Sequence, residues 1–142
     1  MTIGKLIAGR DQVWSCHAGD RVADAVSHLA SKRIGALPVL DQNENVVGIF
    51  SERDVLYCLA TRGTTMMDLT VGEVMTAPAV TVHRGTHVED ALALMTRRRF
   101  RHLPVVEGER MVGFVSIGDL VKWQIDRIQS EAEAMRSYIQ SA

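Results

Sequence analysis

Gly48-Ile49-Phe50-Ser51-Glu52-Arg53-Asp54 returns later in the chain as Gly113-Phe114-Val115-Ser116-Ile117-Gly118-Asp119. Each copy reads as a buried apolar strand running into a helix, with a hydroxyl and a carboxylate three residues apart at the junction. Two such junctions on one chain imply two copies of one binding site. The repeat extends outward from them. Val22-Ala23-Asp24-Ala25-Val26 aligns with Val88-Glu89-Asp90-Ala91-Leu92, and Ala36-Leu37-Pro38-Val39-Leu40 with His102-Leu103-Pro104-Val105-Val106, an offset of 66 that becomes 65 at the two glycines. The lost residue falls in a polar turn, Asp41-Gln42-Asn43-Glu44-Asn45 against Glu107-Gly108-Glu109-Arg110, where a hairpin tolerates a change of length.

Composition narrows the classes. With 142 residues, 46% hydrophobic and 23% charged, the chain has enough apolar material for one real core, and no apolar run approaches the roughly 18 residues of a membrane span. Met1-Thr2-Ile3-Gly4-Lys5 lacks the apolar core and small-residue cleavage site of a secretory signal, so a cytoplasmic location is expected. A net charge of −1 argues against bulk binding to nucleic acid or to a membrane surface. Cys16 and Cys58 fit no metal or redox spacing and read as small core residues.

In chain order, residues 1–19 form a lead-in, with Ile3, Leu6 and Ile7 at helical spacing and Val13 to Cys16 as a short strand. Asp20 is the expected N-cap of a helix whose inner face is Val22, Ala25, Val26, Leu29 and Ala30, and Gly35 its expected end. Leu37–Leu40 and Val46–Phe50 read as a buried hairpin. A helix from Ser51 then carries Val55, Leu56, Leu59 and Ala60 inward. After Gly63-Thr64-Thr65 and a short helical turn over Val71–Met75, the order repeats: Val80-Thr81-Val82 as strand, Thr86 and Glu89 as a capping box, the helix of Val88, Ala91, Leu92 and Met95, and the hairpin of 102–106 and 111–116. The last helix, from Asp119 to about Gln140, places Val121, Ile125, Ile128, Ala132, Met135 and Ile139 at alternating steps of four and three, a heptad seam in want of a partner.

The expected fold is therefore α/β of the α+β kind: two βαββα repeats packed with pseudo-twofold symmetry, plus a C-terminal helical extension. Residues 1–65 would form the first repeat with its lead-in, 66–122 the second, and 123–142 the extension. About sixty residues per repeat are too few to cover both faces of a small sheet, so the halves should pack on each other.

The repeated order, the Leu-Pro-Val strands, the Gly-x-x-Ser-x-x-Asp junctions and Val74-Met75-Thr76 together resemble a tandem pair of cystathionine-β-synthase (CBS) domains of the small stand-alone bacterial type, from about Ile3 to Val121. The resemblance implies a disc-like module, often a dimer, whose clefts take adenosine-containing ligands: AMP first, with ATP, NADH and S-adenosylmethionine as alternatives. It implies a homodimer acting on a further, regulated protein. No catalytic cofactor is expected.

The chemistry of such a ligand suits these residues. A carboxylate accepts from both hydroxyls of a ribose, so Asp54 and Asp119 are the expected ribose partners, at a helix mouth where backbone N–H groups and the Ser51 or Ser116 hydroxyl meet phosphate. Adenine needs a flat apolar slot, expected from Ala36-Leu37-Pro38 and Leu103-Pro104, with Val13, Ser15 and Val80 of the short strands. Basic residues before the Leu-Pro strand contact phosphate in the family. This carries over best to Arg101 and His102, then to Arg99 and to Lys32 and Arg33 in the first copy; Arg53 is a further phosphate candidate. Gly35 and Ala36 stand where the second copy has Arg101 and His102, which makes the two sites unequal.

Competing readings remain open. Ser-x-x-Asp also caps a helix without any ligand, and the arginines also suit a solvated helix end. His83 and His87 do not share a helical face for a metal, and no nucleophile elbow, G-x-G-x-x-G or P-loop is present. The expectation is a regulatory adenine-nucleotide module, an energy or redox sensor rather than an enzyme; the alternative is a ligand-independent dimerisation scaffold.

Overall fold

The computed structural model describes residues 1–10 and 13–141; residues 11, 12 and 142, in the expected lead-in and extension, lie outside the described residues. A short helix α1 (Ile3–Ile7) precedes β1 (Cys16–His17), α2 (Val22–Lys32), β2 (Ala36–Leu40), β3 (Val46–Ser51) and α3 (Glu52–Arg62). A 3₁₀ turn (Gly63–Asp68) and α4 (Val71–Val74) lead into α5 (Val88–Arg98), β4 (His102–Glu107), β5 (Arg110–Ser116) and α6 (Ile117–Ser141). β1 runs parallel to β2, and β2 antiparallel to β3. β4 and β5 repeat the hairpin, with a register shift at Val105/Val106 matching that at Val39/Leu40. The expected strand at Val80–Val82 reduces to one parallel bridge, Val82 to Val105, and the expected Val13–Cys16 strand to Cys16–His17.

The helices form where the 3.6 period puts apolar side chains on one stripe. Val22, Ala25 and Leu29 of α2 are buried, as are Val88, Ala91 and Met95 of α5. Their ends differ from the expected ones. Neither Asp20 nor Thr86 caps a helix: the Asp20 carboxylate accepts from His17 N–H and the Thr86 hydroxyl from His83 N–H, each closing the preceding turn. The open N–H groups of Val22 and Val88 instead donate to the carbonyls of Leu69 and Met1, backbone from a distant part of the chain. At the other end α2 stops before Gly35, with Arg33 in the left-handed region at φ 51°, and α5 stops the same way at Arg99, φ 58°.

The core divides in two, and each part borrows from the other half of the sequence. Ile3 and Ile7 of α1 lie in the second-half core with Val88, Leu103, Val115 and Leu120. Met66 and Val71 lie in the first-half core with Val22, Leu37 and Phe50. The lead-in thus packs on the second repeat and the connector on the first. In α3 only Cys58 is buried, with Val55 packed beside it; Leu56 is 62% exposed, and Leu59 and Ala60 also face solvent, so the expected inward face of this helix is corrected. α6 buries Leu120 and packs Ile117 and Trp123 on the second core, while Val121, Ile125, Ile128, Met135 and Ile139 are exposed. Among the described residues no helix is long and apolar enough to cross a membrane.

Candidate functional site: two clefts between the repeats

The site begins with the repeated junctions. Ser51 ends β3 in extended conformation and its hydroxyl accepts from Asp54 N–H at 3.3 Å. Asp54 Oδ2 in turn accepts from the Ser51 N–H at 2.9 Å and from its hydroxyl at 3.1 Å. Ser116 and Asp119 repeat the exchange, with Ser116 N–H donating to Asp119 Oδ2 at 2.9 Å and Asp119 N–H to the Ser116 hydroxyl at 3.2 Å. Both junctions are therefore helix caps, whatever else they do. The capping geometry also immobilises each carboxylate at a helix mouth, where anions are favoured.

Each carboxylate has one further partner, and here the copies part. Asp54 Oδ1 accepts from the Thr76 hydroxyl at 2.8 Å, whereas Asp119 Oδ2 takes the Arg10 guanidinium at 3.2 Å. Burial pushes the Asp119 carboxyl up, but the Ser116 N–H and the Arg10 charge outweigh it and hold the group below the usual carboxylate range.

Each aspartate lines a cleft whose other wall comes from the opposite repeat. Asp119 and Ser116 face a cavity of about 680 Å³ with Val13, Trp14 and Ala36 across it. Asp54, Ser51 and Arg53 face one of about 370 Å³ with Val80, Arg99 and Arg101 across it. Both volumes suit a small-molecule ligand. Gly35 and His102 border both clefts. The His102 ring stacks on Phe114, centroids 5.4 Å apart and 11° from parallel. Burial lowers its pKa, against the pull of Asp119 and Glu52, so the ring favours the neutral form.

Of the residues expected from sequence, the clefts gather Asp54, Asp119, Ser51, Ser116, Arg53, Arg99, Arg101, His102, Val13, Ala36 and Val80. They do not gather Leu37, Pro38, Leu103 or Pro104. Those four are buried in their sheets, because of β2 and β4 only the first residues, Ala36 and His102, reach the cleft rim. Ser15 is half-buried outside both cavities; Lys32 is exposed, its ammonium 4.3 Å above the Trp14 ring; Arg33 is exposed at the end of α2. Reading the sequence missed Arg10, Trp14 and Thr76. Thr76 had a signal, since it closes the quoted Val-Met-Thr. Trp14 sits in the same short segment as Val13. Arg10 had none, its partner lying 109 positions away.

Cys16 is a buried free thiol. Burial, with Asp20 adding, pushes its thiol up to about 12.

The family model for the CBS domain matches residues 7–61 and 71–126, one copy in each half. The chain belongs to the CBS-domain family. This CBS pair is 36% identical over 129 residues to the Arabidopsis thaliana protein named CBS domain-containing protein CBSX3, mitochondrial, covering 88% of this chain and 63% of that protein, so it spans a little under two thirds of that relative's length. The crystal structure of a CBS-domain-containing protein from Agrobacterium tumefaciens superposes with TM-score 0.78 at 34% identity, covering 85% of this chain and 91% of that one. Arabidopsis CBSX2, solved in complex with AMP, superposes with TM-score 0.77 at 29% identity, covering 88% and 96%. Against these the two repeats, their pairing and the C-terminal helix of the present chain are those of a CBS pair.

Proposed function

We propose that this CBS pair is a regulatory module that binds an adenosine-type nucleotide in one or both clefts and transmits its occupancy through a homodimer to another protein. The observation that carries the reading is the crossed construction of the clefts: each joins the Ser-x-x-Asp helix mouth of one repeat to the apolar lead-in and the strand rim of the other. A ligand there bridges the halves and acts on their packing. Asp54 and Asp119 take the ribose, Ser51 and Ser116 with the helix N-termini take phosphate, and Val13, Trp14 and Ala36, or Val80, flank the base. Arg53, Arg99 and Arg101 make the Asp54 cleft the more cationic, suited to a longer phosphate chain such as that of ATP or NADH; AMP suits either. The AMP bound by a relative of the same fold supports the ligand class. The exposed seam of α6, and separately the exposed Leu56 and Leu59 of α3, supply apolar surface for a second copy.

Thermal unfolding with AMP, ATP, NADH, NAD and S-adenosylmethionine tests the proposal. A ligand at 100 times its dissociation constant stabilises by about 2.7 kcal/mol, a shift of several degrees in a domain this size. Asp54→Ala and Asp119→Ala each remove part of that shift. Because each also removes the carboxylate half of a capping box, the ligand-induced shift rather than the absolute midpoint is compared. No shift with any of them favours the scaffold reading, with α6 as the functional part.

A further inference from the structure

We propose that Arg10 sets the ligand preference of the Asp119 cleft, admitting 5′-phosphorylated nucleosides and discriminating against the same nucleosides without phosphate. The inference rests on the nucleotide reading of that cleft. Asp119 Oδ2 already accepts from Ser116 N–H at 2.9 Å and from Arg10 at 3.2 Å, which fills its two lone pairs. A ribose diol needs both carboxylate oxygens. The Ser116 N–H is fixed by the cap at the start of α6, so the diol displaces the guanidinium. The two side chains are 38% and 34% exposed, so solvent screens the pair and the guanidinium is released at small cost.

What happens next depends on the ligand. A phosphate at the Ser116 hydroxyl lies beside the vacated position and takes up the guanidinium, in the fork geometry that arginine offers to phosphate. A neutral nucleoside leaves Arg10 unpaired. The Asp54 cleft has no such selector, because the bonds on its carboxylate that can yield to a diol, from the Ser51 hydroxyl on Oδ2 and the Thr76 hydroxyl on Oδ1, come from neutral groups and leave no charge stranded.

Trp14 lines the Asp119 cleft and is absent from the lining of the other, so it reports this cleft alone. AMP and adenosine are titrated against Trp14 fluorescence in Trp123→Phe chains carrying Arg10, Arg10→Ala or Arg10→Lys. The Trp14 indole N–H resonance of the chain with both tryptophans gives the same readout without that background substitution. The expected result is a preference for AMP over adenosine that falls about tenfold or more in Arg10→Ala, as loss of one charge-assisted contact implies. Adenosine itself binds more tightly to Arg10→Ala, and Arg10→Lys keeps much of the preference. An unchanged AMP-to-adenosine ratio in Arg10→Ala, with both still bound, overturns the role of Arg10 and leaves the nucleotide reading standing. Absence of any Trp14 response to either ligand in every chain overturns the nucleotide reading of this cleft and the inference with it.

Discussion

Gly48 and Gly113 open the two junctions, and the structure gives each a packing reason. A Cβ at Gly48 would stand 2.6 Å from Met75 Sδ and 2.8 Å from the Thr76 carbonyl oxygen; at Gly113 it would stand 2.7 Å from Ile7 Cδ1. The close approach lets the chain ahead of one repeat cross the strand of the other. The two sites differ in what must yield. Thr76 is held by paired backbone bonds of 2.9 Å to Ile49, and its hydroxyl holds Asp54, so the carbonyl cannot withdraw without disturbing the strand and the cleft. Ile7 can rotate a side-chain end. Gly48→Ala is therefore expected to cost about 1–3 kcal/mol, as overpacking does, and Gly113→Ala less, measured by urea unfolding. Equal costs would show that backbone approach is not the constraint.

At the scale of elements, α6 carries the clearest unfinished business. Its first turns are anchored by Leu120, Ile117 and Trp123, and Arg127 ties it to Glu89 of α5. Ile128 is 56% exposed, and its seam neighbours Ile125, Met135 and Ile139 are exposed as well. If the seam is the homodimer contact, Ile128→Lys buries a charge there and raises the dimer dissociation constant about tenfold or more, read by sedimentation. An unaltered dimer would assign the seam to a different protein. The same holds for α3, whose expected inner face is exposed. Leu56, Leu59 and Ala60 have the spacing of an inner face, but period reports only that a face is apolar, not what covers it.

The whole molecule is held together by exchange between its halves. Ile3 is fully buried although it stands near the N-terminus, where chains are ordinarily frayed and tolerant. It fills the second-half core beside Val88 and Leu120, and its N–H donates to the Thr86 carbonyl at 2.8 Å. Ile3→Ala is expected to cost about 2–5 kcal/mol, the range for emptying a packed aliphatic site, and urea unfolding measures it. A loss within a few tenths of a kcal/mol would mean that α1 is not part of that core.

By itself the sequence determined the repeat, the order of strands and helices, the apolar stripes of α2 and α5, and the reciprocal Ser-x-x-Asp junctions. These depend on periodicity and on contacts three or four residues apart, which a linear pattern records. The tertiary structure alone decided which carbonyls receive the first N–H of α2 and α5, which core α1 fills, and which ends of β2 and β4 reach a cleft. It also decided that Asp119 is held by an arginine and Asp54 by a threonine. Those pairings join residues from opposite halves of the chain. Their strength comes from burial and geometry that exist only once the halves have packed, so no local spacing announces them.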